Sequence, residues 1–184
     1  MEEKINYKLL FWGFIFLFYF RIGGLDILPD CVGYYLIFKG LSGLSEKNDY
    51  FGKAKHFAMP LIILSIPSIY TVSKPLNALW NDPLTVISFG LGLVVVLLDL
   101  VMVYNLCQGI AKEAHQAQDS GLQSMAINRM KWYMGVNIAM TLMLPFAISL
   151  LPLIIVLAIA SLIVYILMIK LMDEASKAQL DLVI

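Results

Sequence analysis

The charges of this 184-residue chain are confined to short clusters, and between the clusters the sequence runs almost unbroken through apolar residues. A bilayer has about 30 Å of hydrocarbon, which about 20 apolar helical residues can cross. Six segments approach that requirement, at about 9–25, 31–44, 57–72, 84–106, 130–144 and 153–169. The expected fold is therefore all-α, a single polytopic transmembrane helix bundle of about six helices filling residues 1–184. Composition points the same way, because 60% of the residues are hydrophobic and 14% charged, against roughly 45–50% and 25% in an ordinary soluble domain. Thirteen Lys and Arg balance thirteen Asp and Glu, so no basic field is present to attract nucleic acid.

The second segment supplies only about 21 Å of helix, and it reads either as a short span or as a re-entrant one. Pro60 and Pro67 predict a bend in the third. Pro145 and Pro152 bracket an uncharged stretch that predicts a tight hairpin between the fifth and the sixth. Placing both chain ends in the cytoplasm leaves only Arg21 and Lys74 outside, with Lys4, Lys8, Lys47, Lys53, Lys55, Lys112, Arg129, Lys131, Lys170 and Lys177 inside. A re-entrant second segment would move the N-terminus outside and leave three basic residues there, so it is Lys4 and Lys8 beside the first span that favour both ends inside. The main cytoplasmic loop is then 109–129, expected to continue the fourth helix, break near Ser120-Gly121 and approach the fifth as helix. The lysine-led apolar start is built like a secretory signal, but Arg21-Ile22-Gly23-Gly24 follows in place of a small-residue cleavage site, so the segment is expected to stay as a helix.

Tyr34, Tyr35, Trp80, Trp132 and Tyr133 lie near span ends and read as an interfacial belt. The methionines concentrated between Met125 and Met172 read as packing residues. Gly90 and Gly92 are expected to let a neighbouring helix come close. Cys31 and Cys107 fall at opposite membrane faces and are not expected to pair, while His56 and His115 lack partners at metal-binding spacing. No nucleotide, dinucleotide, zinc-hydrolase or nucleophile-elbow motif occurs, so neither a metal nor a cofactor is expected and an enzyme is disfavoured.

Two groups of charged residues are out of place in such a chain. Between the first two spans lies Arg21-Ile22-Gly23-Gly24-Leu25-Asp26-Ile27-Leu28-Pro29-Asp30, in which Gly-Gly breaks the helix and Pro29 fixes the turn. Asp30 is expected to cap the second helix, Gly33 to let another helix approach, and Arg21 either to pair with Asp26 or to hold an anionic group. Arg21, Asp26 and Asp30 thus form a candidate ligand site at the outer mouth. Lys39 and Asp99 fall inside spans, where an ionisable group costs about 2.5–3.5 kcal/mol on insertion scales, and they read either as each other's partner or as part of an ion relay. Tyr104, Asn105 and Asn137 are the polar residues expected to line the same cavity.

Across Arg21 to Leu44, with Asp26-Ile27-Leu28-Pro29-Asp30, Gly33-Tyr34 and Gly40-Leu41, the chain resembles a family of small polytopic membrane proteins of Bacillus-like and clostridial Firmicutes marked by D-I-L-P-D-x-x-G-Y. Phe11-Trp12-Gly13 and Tyr50-Phe51 with Lys53-Ala54 also fit that pattern. The resemblance covers about the first third of the chain, implies the cytoplasmic membrane of a Gram-positive cell and carries over no catalytic residues. The charged groups inside the spans and the broken helix entry, rather than the resemblance, favour a multi-pass protein that transports or binds a small solute or ion. The alternative is an accessory subunit that meets another membrane subunit or a second copy through its lipid face or the 109–131 segment. In size and span number the chain is similar to the substrate-binding subunits of energy-coupling-factor vitamin transporters, although its first helix lacks their A-x-x-x-A face. A lipid-modifying enzyme using Asp26 and Asp30 is the third reading.

Overall fold

The computed structural model describes the backbone of residues 2–17, 21–22, 25–26, 29–66, 83–143 and 150–181, and the side chains of 4–17, 29–66, 87–143 and 150–178. The described residues form six helices: α1 (Glu2–Phe16), α2 (Asp30–Leu44), α3 (Asp49–Leu64), α4 (Pro83–Gln116), α5 (Ser120–Met143) and α6 (Leu151–Asp181). Between α1 and α2 two antiparallel strands of two residues each, β1 (Arg21–Ile22) and β2 (Leu25–Asp26), place Arg21 opposite Asp26 and Ile22 opposite Leu25. Residues 144–149 of the expected Pro145–Pro152 hairpin, Pro67 and Trp80 lie outside the described residues, whereas Pro152 falls in the first turn of α6 and Pro60 inside α3.

Each helix packs against its neighbours in the chain, and α6 returns to pack against α1, closing a ring. Tyr34, Asp99 and Tyr133 meet at one level, with Tyr165 and Phe14 beside them. At a second level Tyr7 meets Phe51 edge-on, and Asn48 reaches Gly109 and Glu113. Traced between these levels, successive helices alternate in direction. The start of α1, the α2–α3 and α4–α5 turns and the end of α6 therefore share one end of the ring, called inner below.

The helices overrun the apolar segments at that inner end. α1 begins at Glu2, α3 at Asp49 and α5 at Ser120, while α4 continues to Gln116 and α6 to Asp181. Apolar runs mark where a helix meets hydrocarbon; the backbone ladder continues as long as flanking residues pack. Here they do, because Tyr7, Leu10, Phe51, Ile110, Leu122 and Ala175 are all buried toward this end. The expected loop 109–129 accordingly shrinks to a turn at 117–119, short of Ser120-Gly121. α2 is one continuous helix of 15 residues between the two levels.

Local chemistry sets the inner turns. Asn48 caps α3 by accepting from the backbone of Tyr50 and Phe51, and its amide donates to the carbonyl of Gly109 and to Glu113, which also pairs with Lys47. α4 ends in a Schellman motif, with Asp119 N–H on Ala114 O at 2.9 Å and Gln118 N–H on His115 O at 3.2 Å. Asp119 then caps α5 through Leu122 N–H. The motif holds Gln118 at φ 61°, where glycine is favoured. Gln118→Gly is expected to stabilise the protein by about 1 kcal/mol; an unchanged or lower unfolding midpoint in detergent would contradict this.

α1 and α2 cross at glycines. A Cβ on Gly33 would lie 2.9 Å from the carbonyl oxygen of Gly13, and one on Gly40 2.7 Å from that of Asn6. The close approach expected at Gly33 is present. Gly90 and Gly92 behave otherwise, since nothing lies within 4 Å of a Cβ there and no described neighbour uses them for packing.

Outward-facing residues change character along the ring axis. On the outer half of α4 and α6 they include Leu91, Leu97, Ile155, Val156 and Ile163, all exposed. Ile87–Gln116 and Leu151–Ala178 are each long and apolar enough to cross a membrane, yet only 22% and 11% of their most apolar 18-residue stretches are buried. A buried core helix of a soluble protein would have the opposite burial. The change to charge comes after Tyr104 on α4, at Trp12 and Lys8 on α1, at His56 and Met59 on α3, at Trp132 and Lys131 on α5, and at Ile166 and Lys170 on α6.

Candidate functional site

Asp99 is the meeting point of three helices. From α4 its Oδ1 accepts the hydroxyl of Tyr34 on α2 at 3.1 Å, and its Oδ2 accepts the hydroxyl of Tyr133 on α5 at 2.6 Å. Tyr34 and Tyr133 are buried and Asp99 is half-buried. The Tyr165 ring of α6 packs 6.4 Å from that of Tyr133 and 6.1 Å from Phe14 of α1, so five of the six helices contribute to the cluster.

Helical phase explains why these side chains converge. On α2 the buried positions Tyr34, Ile37, Leu41 and Leu44 follow the three- and four-residue spacing of one face, and on α5 Leu122, Ala126, Met130, Tyr133 and Val136 do the same. Tyr35 and Trp132, each one residue out of phase, are exposed. Tyr35 and Trp132 therefore face outward, whereas Tyr34 and Tyr133, expected in the same belt, turn inward as hydroxyl donors.

Lys39 does not join the site. It follows Tyr34 by five residues, which turns it about 140° around the helix, and it is exposed. Among the described residues no basic side chain pairs with Asp99, so the expected Lys39–Asp99 ion pair is absent. Lys39 instead stands on α2 after the outward-facing Val32 and Tyr35, at the changeover from apolar to charged surface.

Asp30 occupies the first turn of α2 rather than its cap, which is Pro29 without a side-chain bond, because Pro29 O already accepts from Val32 N–H. Asp30 remains close to the cluster, since it and Asp99 both interact electrostatically with Tyr34 and Tyr165. Arg21 and Asp26 face each other across the hairpin backbone, and their side chains lie outside the described residues. The other polar candidates turn elsewhere: Asn105 and Asn137 donate to carbonyls on their own helices, Val101 O and Tyr133 O, and Tyr104 is exposed.

Chemically, the site is a carboxylate whose two oxygens are each held by a neutral donor, without a protein counter-cation among the described residues. Charge of this kind in an apolar bundle is costly unless a proton or a small cation balances it. Phenolic oxygens have lone pairs to spare and can serve as additional neutral ligands. Among the described residues no three His, Cys, Asp or Glu side chains gather as a metal site would need, and Cys31 and Cys107 are free thiols.

Comparison with known proteins finds no matching family model, no matching curated protein and no matching solved structure.

Proposed function

We propose that this chain is a multi-pass protein of the cytoplasmic membrane, with both ends on the cytoplasmic side, that handles a small cation, a proton in the first instance, at Asp99. The observation that carries the reading is the Asp99 carboxylate bound by Tyr34 and Tyr133 within a ring of apolar helices. The outward-facing apolar surfaces of α4 and α6 support the bilayer setting, and the gathering of lysines at the inner end supports the orientation. Asp30 supplies a second acidic group on the outer side of the cluster, while Arg21 and Asp26 remain candidates for the mouth. The resemblance to the Firmicutes family fits this setting and adds no activity.

The test is cation flux in reconstituted vesicles. With pyranine trapped inside and a potassium diffusion potential imposed, vesicles holding the protein are expected to change internal pH faster than empty ones, and Asp99→Asn is expected to remove the excess rate. A parallel measurement with tracer sodium distinguishes the cation. Excess proton and sodium flux that is absent, or that Asp99→Asn leaves intact, would overturn the reading.

A further inference from the structure

At the inner end, outside the Asp99 site, α3, α4 and α5 enclose an open groove of about 450 Å3. Its walls carry amides from Gln108, Gln116 and Gln123, the His115 ring, the Lys112 ammonium and the face of Tyr50. Among the described residues no acidic side chain lines it. Two ammonium groups converge on that one tyrosine, Lys53 Nζ at 5.5 Å and Lys112 Nζ at 6.0 Å from the ring centroid. Each gains from the ring's electron-rich face, but gathering like charges costs energy unless an anion joins them. Among the described residues neither ammonium has a carboxylate partner, and Glu113, next to Lys112 in sequence, is taken by Asn48 and Lys47.

The groove also lies at a defined height. Exposed apolar residues on α4 end at Val101 and Tyr104, and the exposed residues that follow are Lys112, His115 and Gln116. Gln108 is one turn and Lys112 two turns beyond Tyr104, about 6 and 12 Å along the axis, and a lysine reaches back several ångströms toward the apolar boundary. Lipid phosphates occupy this layer, within several ångströms of the hydrocarbon edge. We propose that the groove binds the phosphate headgroup of an anionic glycerophospholipid, with Lys112 on its wall contacting the phosphate, Lys53 reaching it from outside the lining beside Tyr50, and Gln108, Gln116 and Gln123 contacting the headgroup hydroxyls. Basic recesses between membrane helices at the cytoplasmic face suit such headgroups. The inference rests on the membrane reading above and is independent of cation handling at Asp99.

Retention of tail-labelled phosphatidylglycerol and phosphatidylcholine by the full chain in detergent micelles tests it, at about 150 mM salt so that diffuse surface attraction is screened. Phosphatidylglycerol is expected to bind about tenfold more tightly, and Lys53→Gln/Lys112→Gln to remove most of that preference with helicity unchanged. Lys4→Gln/Lys8→Gln, which removes two inner-end charges away from the groove, is expected to keep it. Equal retention of the two lipids would overturn the proposal, as would an equal loss in both double variants or full displacement by millimolar inorganic phosphate, which would mark a site for free anion. Flotation with phosphatidylcholine vesicles separates the two readings: a chain that fails to float refutes the membrane reading, and one that floats but shows no phosphatidylglycerol preference refutes only this site.

Discussion

Asp99→Ala is expected to cost the bundle about 3 kcal/mol, because it leaves two buried phenol hydroxyls without their acceptor, at about 1–3 kcal/mol each when no replacement is found, with the two oxygens they serve on one side chain. The companion variant separates structure from chemistry. Asp99→Leu combined with Tyr34→Phe and Tyr133→Phe replaces the whole polar cluster by apolar groups of similar bulk, an exchange that is commonly neutral or stabilising. Its unfolding midpoint in detergent is expected to return to within about 1 kcal/mol of the parent, while Asp99-dependent flux stays at the level of empty vesicles. A recovered fold with recovered flux would show that the cluster is only a pin between α2, α4 and α5. Asp99→Asn is the milder probe, since its carboxamide can still accept one hydroxyl and donate to the other.

Gly33→Val is expected to be strongly destabilising where α1 and α2 cross. The first carbon of the new side chain would sit 2.9 Å from the backbone oxygen of Gly13 and 2.9 Å from Leu17, and a carbonyl in a packed helix cannot swing away as a side chain can. Overpacking of this kind typically costs about 1–3 kcal/mol, and the upper end applies where backbone opposes the added carbon. Gly52→Ala is the matched control: nothing lies within 4 Å of the added methyl on α3, so only the helix preference for alanine remains, a gain of about 0.5–1 kcal/mol. Chemical unfolding of the two variants beside the parent reads both effects. Equal midpoints for Gly33→Val and the parent would mean that α1 and α2 do not cross at this glycine.

The number and order of the helices were legible in the sequence because alternating apolar runs and charge clusters constrain a chain strongly. Their lengths were not, because hydropathy reports the surroundings of a helix and not its hydrogen-bond ladder; the first turns of α3 and the last turns of α4 and α6 are polar outside yet packed inside. Asp99 was conspicuous as an acid amid apolar residues. Lys39 was conspicuous for the same reason and misleading, since a lysine can sit on the outer surface of a helix and reach a boundary that an aspartate cannot. The two tyrosines were hidden by residue type. A tyrosine near a span end has two good explanations, and only its phase relative to Ile37 and Leu41, or to Met130 and Val136, chooses between them. That phase was available in the sequence, so the inward turn of Tyr34 and Tyr133 is a signal that periodicity could have supplied.

The contact that closes the ring joins the first helix to the last. A ribosome adding about 5–20 residues per second makes α6 on the order of ten seconds after α1. Throughout that interval the flank of α1 that carries Phe14 lacks the Tyr165 ring it finally meets. Biosynthesis of this bundle is therefore an assembly with a delayed final seam, in which five helices wait in an incomplete arc and the sixth locks the circle.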